Sequence, residues 1–448
     1  MRMCILGGGG YLGQFLAQAL QNEEGHFVVL FDLNFSTSFP HIKLNENLTK
    51  RIEGSIENFE QLIKALKGCD ACFHLAGYGM SGGPSLNKQK CFDINYWGTK
   101  NVIEVCKYLG VSRLIFTSSI VVIFNGQKEL IMADENTTPY LKYYGNYYAE
   151  SKAAAEQIIL AENNPPKLST CALRLRGIYG PGELRMVKRF VDFLCGPIII
   201  TFSKSIEPIT QFSSVENTIN ALLLSEKSLR IPNSPTAGNK YHILDGGPPV
   251  NSWGFWNPLA KALNSSGYCI HVPYSFVYIF AFISELLYYL FGIEPRLTRY
   301  EIALIGVTHT FSIKRAQKDF GYNPVRSHNL NSTIEFCLKQ KKEEEEKLKE
   351  KQQKQLKNIS IYLTNLFFSF FEYNNWLWIV WIFDLIWSKK SLIILSKCLF
   401  LFIFFLIAND HLFKNNTYYY NTINSTNLNN NNITTHQSHT CTHKWWIF

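Results

Sequence analysis

The stretch RMCILGGGGYLGQFLAQALQNEEGHFVVLFD, residues 2–32, decides the fold of this 448-residue chain. Arg2–Leu6 has the composition of a short buried strand, and the glycine-rich turn after it leads into the helical pattern FLAQALQ. A second apolar strand, His26–Phe31, is followed by Asp32, nineteen residues after Gly13. Strand, glycine turn, helix, strand and acid in this register predict an α/β fold with a Rossmann-type doubly wound parallel sheet.

The glycines have the spacing of a dinucleotide-binding turn, with Gly7, Gly10 and Gly13 three positions apart. Such a turn needs glycine where backbone approaches a pyrophosphate and where helix packs against strand, and the helix N-terminus attracts phosphate. The acid at the end of the second strand accepts hydrogen bonds from the adenosine ribose and repels a 2′-phosphate. The sequence therefore predicts NAD rather than NADP, with Asp32 on the ribose; an ordinary glycine-rich loop is the simpler alternative.

The composition excludes several protein classes. Hydrophobic residues make up 46% of the chain, aromatic residues 15% and charged residues 18%, which excludes a wholly disordered chain, a collagen-like repeat and a disulfide miniprotein. The net charge is +9, but residues after 338 hold 13 Lys and 8 acidic residues, a balance of +5, which leaves +4 before them. A charge this small on the main domain predicts no nucleic-acid partner.

The composition changes after residue 338. We predict a charged helical linker over 339–358, an anchor of one or more membrane helices over 359–408, and a low-complexity tail over 409–448. Ser391–Ala408 is long enough to cross a bilayer. The Trp-rich block before it contains polar interruptions and fits a second span, a re-entrant piece or an interfacial helix. A buried helix pair of a soluble domain is the alternative.

The N-terminal residues and the spacing of the cysteines indicate the cellular compartment of the protein. Folded-domain sequence starts at Arg2, so we expect no signal peptide and a main domain that faces the cytosol. The anchor is expected to lie in the endoplasmic reticulum. The 11 cysteines lack disulfide-framework spacing, which fits a reducing compartment, and Cys69 and Cys72 are expected to be structural. A loosely metal-like group lies in low-complexity sequence, so no metal is predicted there: His436, His439, Cys441 and His443.

Tyr148 and Lys152 are four positions apart at the start of a later helical pattern and therefore share one helix face. Tyrosine is a poor base near neutral pH because its pKa is about 10, and a nearby ammonium group stabilises the phenolate. Tyr148 is the predicted acceptor of the proton from a substrate hydroxyl whose hydride leaves for nicotinamide. Ser119, at the carboxyl end of a strand-like run, is predicted to hold the substrate oxygen.

Several motifs together resemble one known family. The chain looks like an extended short-chain dehydrogenase/reductase of the 3β-hydroxysteroid dehydrogenase/isomerase family, close to its membrane-anchored, sterol-dehydrogenase-like members. The resemblance covers about 1–338 and implies an NAD-binding core mainly over 1–175 and a smaller C-terminal substrate lobe mainly over 176–338. The motifs are GGGGYLG (7–13), HLAGYGMSG (74–82), DINYWGTKNV (93–102), FTSSIVVIFNG (116–126), YAESK (148–152) and LRLRGIYGPGE (173–183).

The resemblance implies a role for each matching residue. Tyr148 would be the catalytic acid/base, and Lys152 would bind the nicotinamide ribose and lower the pKa of Tyr148. Ser119 would orient the substrate oxygen. Asn95 and Tyr179 match positions near the cofactor in this family.

Some positions depart from the family pattern. Leu175 stands where a proline is usual, which questions the rigidity of the backbone there. Ser55 stands where an aspartate usually contacts adenine, so the affinity for NAD is expected to be reduced. Ser214 and Glu216 replace a usual histidine and aspartate. The serine, tyrosine and lysine remain, so the catalytic machinery is expected to be intact.

A highly aromatic segment, Tyr274–Phe291, contains a single charged residue, Glu285. It fits a helix that lines an apolar pocket or dips into the membrane, a core helix, or a further transmembrane span. Three arginines of the lobe bind a polar end of the substrate or lie on the surface: Arg185, Arg296 and Arg299.

These features predict an NAD-dependent enzyme that oxidises the 3β-hydroxyl of a sterol or steroid; a Δ5–Δ4 isomerase step is implied by the resemblance alone. A homodimer is also a family-level expectation, through the helices at 98–109 and 147–163. Two alternatives stay open, a nucleotide-sugar epimerase or dehydratase and a non-catalytic NAD-responsive membrane scaffold. The aromatic lobe and the membrane tail weigh against the first, and the intact triad weighs against the second.

Overall fold

The computed structural model describes residues 1–37, 39–183, 185–194, 198–263 and 268–373. The chain forms two compact units, Met1–Glu346 and Lys347–Phe448. In the described residues the strands are β1 (Arg2–Leu6), β2 (Phe27–Asp32), β3 (Thr49–Glu53), β4 (Ala71–His74), β5 (Arg113–Ser119), β6 (Leu130–Ala133), β7 (Ser169–Leu175), β8 (Ile178–Tyr179), β9 (Ile198–Thr201), β10 (Ile209–Thr210), β11 (Ser213–Ser214), β12 (Asn239–Ile243), β13 (Val250–Asn251), β14 (Tyr268–His271) and β15 (His309–Phe311).

The α-helices of the same residues, in chain order, are α1 (Tyr11–Glu24), α2 (Phe59–Leu66), α3 (Lys88–Phe92), α4 (Thr99–Leu109), α5 (Tyr147–Ala161), α6 (Met186–Leu194), α7 (Val215–Leu229), α8 (Asn257–Ala262), α9 (Tyr274–Phe291), α10 (Arg299–Gly306), α11 (Lys314–Phe320) and α12 (Asn331–Tyr373). A π-helical segment, Asp93–Gly98, joins α3 to α4.

A seven-stranded parallel sheet with the order β12-β7-β5-β4-β1-β2-β3 forms the centre of the first unit. The order reverses between β1 and β4, as in doubly wound dinucleotide-binding folds, so the predicted parallel sheet is confirmed. In this class of sheet, ligands bind outside the carboxyl ends of the strands at the point of reversal.

Both faces of the sheet are buried because its strands alternate apolar side chains between two layers of helices. Ile5 of β1 packs in one cluster with Leu16 of α1 and with residues of α7, whereas Leu6 packs in another with Val102 of α4 and with residues of α2 and α5. Such burial on both faces is typical of parallel sheets. Cys69 and Cys72 lie in the second cluster, where they pack as buried apolar side chains.

The chain after residue 175 alternates between the sheet and a smaller lobe. α7 and β12 complete the large sheet, whereas α6, α8, α9, α10 and the short strand pairs β9–β14 and β10–β13 build the lobe. The buried indole of Trp256 stacks on Phe190 at 4.2 Å between ring centroids and forms part of the lobe's own core.

The last helix, α12, runs through the predicted charged linker and ends at Tyr373. The remainder of the predicted anchor and the whole tail, with its histidines and cysteine, lie outside the described residues. Within the described part of the chain, one helix, α9, is long and apolar enough to cross a membrane, which is weak evidence by itself. The membrane helices predicted over 359–408 therefore remain a prediction.

Candidate active site

A cavity of about 1450 Å³ lies at the carboxyl ends of the central strands, where the sheet order reverses. Its sheet side includes the glycine turn and the ends of β2 and β5, and its far side is made by the smaller lobe. Predicted site residues on its wall are Gly7, Gly10, Gly13, Asp32, Ser119, Tyr148 and Lys152. Residues from the lobe include Phe202, Trp253, Phe276, Val277 and Phe280.

The glycine turn leaves no room for side chains. Gly7 has a φ of +87°, and a Cβ there would lie 2.8 Å from the backbone nitrogen of Ala76. A Cβ on Gly13 would lie 2.4 Å from the carbonyl oxygen of Gly7. Helix α1 begins after Gly10, and no side chain caps its first turn. The N–H groups of this turn, at the cavity end of the helix, therefore find no acceptor in a capping side chain and remain donors for a ligand. The turn therefore fits a dinucleotide pyrophosphate.

Asp32 ends β2 beside this turn. One carboxylate oxygen accepts the N–H of Gly9 at 2.8 Å and the other accepts the N–H of Leu33 at 2.7 Å. These bonds orient the carboxylate toward the edge of the cavity, where a ribose diol would sit. Ser55 also lines the cavity, and its hydroxyl donates to Glu57 Oε2 at 3.1 Å. The carboxylate of Glu57, two residues on, also lines the cavity.

Tyr148 lies in the first turn of α5, where the Asn146 side chain caps the helix by accepting the N–H of Ala149. The side chain is 7% exposed, and burial raises the pKa of Tyr148 above its ordinary value. The neighbouring Ser119 hydroxyl and the positive charge of Arg185 act against burial and lower that pKa. Ser119 is the last residue of β5, and its hydroxyl donates to the carbonyl of Leu175 on β7 at 3.4 Å.

Lys152 is held one turn further along α5. Its Nζ donates to the carbonyl oxygen of Thr117 at 2.6 Å and lies 4.0 Å from the centroid of the Phe116 ring. Burial lowers the pKa of Lys152 to about 7. The sequence predicts that Lys152 lowers the pKa of Tyr148, and this stays a prediction. Burial has the largest effect on this pKa, followed by the opposing effects of the Ser119 hydroxyl and the charge of Arg185.

Asn95 lies in the π-helical segment and not on the cavity wall. Its amide oxygen accepts the N–H of Tyr78 at 2.8 Å, and its amide nitrogen donates to the Tyr78 carbonyl and to Ser151 Oγ, each at 2.9 Å. Asn95 thus ties the loop after β4 to α5, the helix that carries Tyr148 and Lys152. π-Helical turns occur often at functional sites, but sequence periodicity does not reveal them.

Tyr179 also lies off the cavity wall, although the resemblance implies a position near the nicotinamide. Its hydroxyl donates to Asp245 Oδ2 at 2.6 Å, and its ring packs against Phe255. Ser214, one of the departures from the family pattern, caps α7, and its N–H donates to Asp245 Oδ1 at 2.7 Å. These residues form a buried structural network beneath the substrate lobe.

The structure explains the leucine that replaces the usual proline. Leu175 is the last residue of β7 and pairs with Ser119 on one side and Ile243 on the other, so the sheet fixes its backbone. The preceding Arg174 is fully buried and donates to Glu156 at 2.6 Å. Sequence reasoning missed this ion pair because the two residues are far apart in the chain.

The arginines proposed from the sequence separate into two groups. Arg185 and Arg296 line the cavity. Arg299 binds Glu285 of α9 through its guanidinium at 2.8 Å and does not lie on the cavity wall. Two cavity residues that sequence reasoning missed are Arg176 and Tyr300, and the only sequence signal for Arg176 is its place directly after a strand of the sheet.

Comparison with known proteins agrees with this geometry. The chain matches the 3-beta hydroxysteroid dehydrogenase/isomerase family over residues 4–272. It is 35% identical over 346 residues to the short-chain dehydrogenase/reductase family 42E member 1 of Homo sapiens. The similar region covers 74% of this chain and 86% of that protein. It is 32% identical over 327 residues to a Mus musculus protein, sterol-4-alpha-carboxylate 3-dehydrogenase, decarboxylating, with coverage of 72% and 86%.

Among solved structures, the chain is similar to MoeE5 in complex with UDP-glucose and NAD. The TM-score is 0.57 and the identity 19%, over 76% of this chain and 99% of that one. At this level of identity the similarity concerns the fold alone.

Proposed function

Because this chain belongs to the 3-beta hydroxysteroid dehydrogenase/isomerase family, we propose that it oxidises the 3β-hydroxyl of a sterol or steroid. It is an NAD-dependent oxidoreductase. The observation that carries the proposed substrate is the cavity itself, in which Ser119, Tyr148 and Lys152 face a lobe of aromatic and aliphatic side chains. An apolar wall opposite a small set of polar groups suits a ring system with one reactive hydroxyl.

In the proposed reaction, Ser119 and Tyr148 hold the substrate hydroxyl from the sheet side of the cavity. Tyr148 would accept the hydroxyl proton, and NAD, when bound, would supply the acceptor for the hydride of the carbinol carbon. Lys152, whose Nζ donates to the carbonyl of Thr117, would bind the ribose next to the nicotinamide. The glycine turn would hold the pyrophosphate, and Asp32 would hold the adenosine ribose.

The apolar helix α9 supports an additional proposal, that this face of the lobe contacts the bilayer. In α9 only Ala281 and Glu285 are buried, so it is not a core helix. A stripe at helical spacing, which we call the outer stripe, faces away from those two residues, and each member is at least 45% exposed: Ile279, Ile283, Leu286 and Leu290. A continuous apolar face of this kind is typical of membrane or protein contacts.

The position of Glu285 favours a helix that lies in the membrane surface rather than one that spans it. The Glu285 carboxylate is buried and forms an ion pair with Arg299 of the lobe. If α9 spanned the bilayer, this charged pair would lie inside the hydrocarbon layer, which is costly. Phe276 and Phe280 of the same helix line the cavity, which supports entry of a sterol from the bilayer along this apolar wall.

Three finer features remain proposals from the family resemblance. We propose an anchor within 359–408 in the endoplasmic reticulum with the catalytic unit on the cytosolic side. A homodimer would form through the segments 98–109 and 147–163, which contain all of α4 and all of α5. A Δ5–Δ4 isomerase step would follow oxidation in a steroid with a suitably placed double bond.

One experiment tests the main proposal. The full chain, purified in detergent, is incubated with NAD and with 3β-hydroxysterols or nucleotide sugars, and NADH is followed by absorbance. We expect NADH only with the sterols, and loss of at least about 100-fold of the activity in Tyr148→Phe with NAD binding retained. Reaction with sugars alone would support an epimerase-type enzyme. No reaction in any sample, with Tyr148→Phe indistinguishable from the natural chain, would support a scaffold.

A further inference from the structure

Glu156 is a fully buried carboxylate close to the catalytic residues, and the mechanism described above does not use it. It lies on α5 four residues after Lys152 and eight after Tyr148, so the three side chains share one buried face of the helix. Its side chain is 0% exposed. A carboxylate at this depth is costly unless it is paired and hydrogen-bonded, so its contacts show which parts of the fold it connects.

Three other parts of the chain donate hydrogen bonds to this carboxylate. From β7, Arg174 donates through Nη2 to Oε1 at 2.6 Å and through Nε to each oxygen at 3.1 Å. The hydroxyl of Tyr140, before α5, donates to Oε1 at 2.6 Å, and the hydroxyl of Ser118 on β5 donates to Oε2. Burial acts to raise the pKa of Glu156, but these donors hold it below its ordinary value. The carboxylate is therefore charged at neutral pH.

Ser118 links the buried ion pair to the catalytic groups. It lies on β5 between Thr117, whose carbonyl accepts a hydrogen bond from Lys152, and Ser119, which is proposed to hold the substrate hydroxyl. By binding the side chain of the middle residue, Glu156 restrains the backbone of the residues on either side. The carboxylate thus fixes the end of β5 against α5, where both elements present their catalytic groups.

The same carboxylate acts on Lys152 through its charge. Burial lowers the pKa of Lys152 to about 7, and the negative charge of Glu156 opposes this decrease. Because a lysine is charged below its pKa, removal of the negative charge would make Lys152 lose its proton at a lower pH. An ammonium group forms stronger hydrogen bonds than a neutral amine, and Lys152 is proposed to bind the nicotinamide ribose.

Other titratable groups surround Lys152 and Glu156 on β4, on the segment before α5, on α5 and on β12. Besides Arg174 they are His74, Tyr140, Tyr144, Tyr148, Lys240 and His242. Burial lowers the pKa of both histidines to about 3 and raises the pKa of the three tyrosines, so these groups stay uncharged near neutral pH. Burial also lowers the pKa of Lys240, which is therefore tested separately.

We propose that Glu156 is a positioning residue of the active site, whose carboxylate holds the end of β5 through Ser118 and stabilises the ammonium group of Lys152. Arg174 is its countercharge. The inference rests on the proposed NAD-dependent oxidation at Tyr148 and adds a residue that does not itself touch the substrate.

The first test removes the charge of Glu156 and keeps its shape. NAD is titrated into the full chain and into Glu156→Gln, both in detergent, in buffers from about pH 6 to about pH 9. In the natural chain we expect the affinity to fall as the pH rises through about 7, where Lys152 loses its proton. In Glu156→Gln this fall should occur about one pH unit lower, with an affinity about 3-fold to 10-fold weaker near neutral pH and a smaller deficit in acidic and alkaline buffer.

The second test removes the link to β5 and keeps the ion pair. In Ser118→Ala we expect kcat for sterol oxidation to fall about 10-fold because the reacting groups are less well placed, with KM for the sterol and the NAD dissociation constant within about 2-fold of the natural values. The pH dependence of NAD binding should stay unchanged. This variant keeps Arg174 paired, so it tests the proposal even if Glu156→Gln, which leaves a buried cation unpaired, does not fold.

Glu226→Gln is the matched control for loss of a buried ion pair. Glu226 is 1% exposed and pairs with Arg113 at 2.8 Å and with Arg230 at 2.7 Å, and Arg113 begins β5 at the end away from Ser119. This variant should melt at a lower temperature but keep kcat and the pH dependence of the natural chain. Lys240→Met should also keep the pH dependence, which would assign it to Lys152.

The outcomes separate this role from the proposed reaction. An unchanged pH dependence of NAD binding in Glu156→Gln, or an unchanged kcat in Ser118→Ala, would overturn the role of Glu156 and leave the proposed oxidation intact. Equal losses of kcat in Glu226→Gln and Ser118→Ala would assign the effects to stability alone. If the natural chain oxidised no sterol while Glu156→Gln shifted the pH dependence of NAD binding, the oxidation would be contradicted and the action of Glu156 on Lys152 supported.

Discussion

The two sides of the cavity hold their residues in different ways. On the sheet side, short backbone contacts fix each group, as when Gly13 packs on the carbonyl of Gly7 or when Lys152 donates to the carbonyl of Thr117. On the lobe side, α9 has only Ala281 and Glu285 buried and leaves most of its apolar surface exposed. The difference fits the proposed function, in which the cofactor needs a site of fixed geometry and the substrate side needs an apolar surface that can contact a bilayer.

The largest expected effect of a single substitution is at the tightest point of the sheet side. In Gly13→Ala the new methyl group would lie 2.4 Å from the carbonyl oxygen of Gly7, so α1 must move away from β1. We expect a loss of about 1–3 kcal/mol in the free energy of unfolding and loss of measurable NAD binding. Chemical denaturation and titration with NAD measure the two quantities.

Gly10→Ala is the matched control for this substitution. A Cβ at Gly10 would lie 3.4 Å from the same carbonyl oxygen, which is an ordinary contact. We expect stability close to that of the natural chain together with weaker NAD binding, because Gly10 lines the cavity at the proposed pyrophosphate site. If Gly13→Ala and Gly10→Ala were equally stable, the close helix–strand packing would not be the constraint we describe.

The substitution Asp32→Asn is expected to have the next largest effect, which is on the choice between NAD and NADP. In Asp32→Asn the side chain keeps an acceptor for one backbone N–H but loses the charge that repels a 2′-phosphate. We expect the ratio of kcat/KM for NAD over NADP to fall by about 10-fold to 100-fold, mostly through KM for the two cofactors. Initial rates with each cofactor measure the ratio, and an unchanged ratio would contradict the role proposed for Asp32.

The pH dependence of oxidation tests the link between Ser119 and Tyr148. A phenol must lose its proton to act as a base, and burial raises the pKa of Tyr148, so kcat/KM should rise with pH in the alkaline range. Ser119 lowers this pKa in the natural chain. Ser119→Ala should therefore move the rise to higher pH and reduce the rate about 10-fold near neutral pH, with a smaller deficit in alkaline buffer.

The interpretation of the Ser119 variant depends on the shape of the profile. A uniform decrease at all pH values would mean that Ser119 positions the substrate without affecting ionisation of Tyr148. NAD binding in Ser119→Ala provides the control for folding, since the serine is not expected to contact the pyrophosphate.

The sequence predicts more of the sheet side than of the lobe side. The order of strand, glycine turn, helix and acid predicts the sheet, and Tyr148 and Lys152 are predicted on one helix face because the spacing is local. Arg176 and Tyr300 are separated by more than a hundred residues, and only the packing of α10 against the end of β7 brings them together. The sequence also does not predict the raised pKa of Tyr148, because that shift depends on burial, which no local sequence pattern specifies.

Substitutions in the outer stripe of α9 are expected to have the smallest effect on stability, in contrast to substitutions on the sheet side. Ile279→Asn with Ile283→Asn removes two side chains that are 55% and 48% exposed, so the free energy of unfolding should change by less than about 1 kcal/mol. If this stripe contacts the bilayer, KM for a sterol supplied in phosphatidylcholine vesicles should rise by about 3-fold to 10-fold, because the apolar contact area is lost. KM for the same sterol in detergent micelles should rise less, since micelles adapt to the altered surface.

The substitution Ile131→Asn, at an isoleucine that is 73% exposed on β6 and does not line the cavity, is the control for loss of exposed apolar surface elsewhere. Equal KM values for the natural chain and the double variant in vesicles would mean that the stripe does not contact lipid, and the difference between the two sides of the cavity would then be one of packing alone.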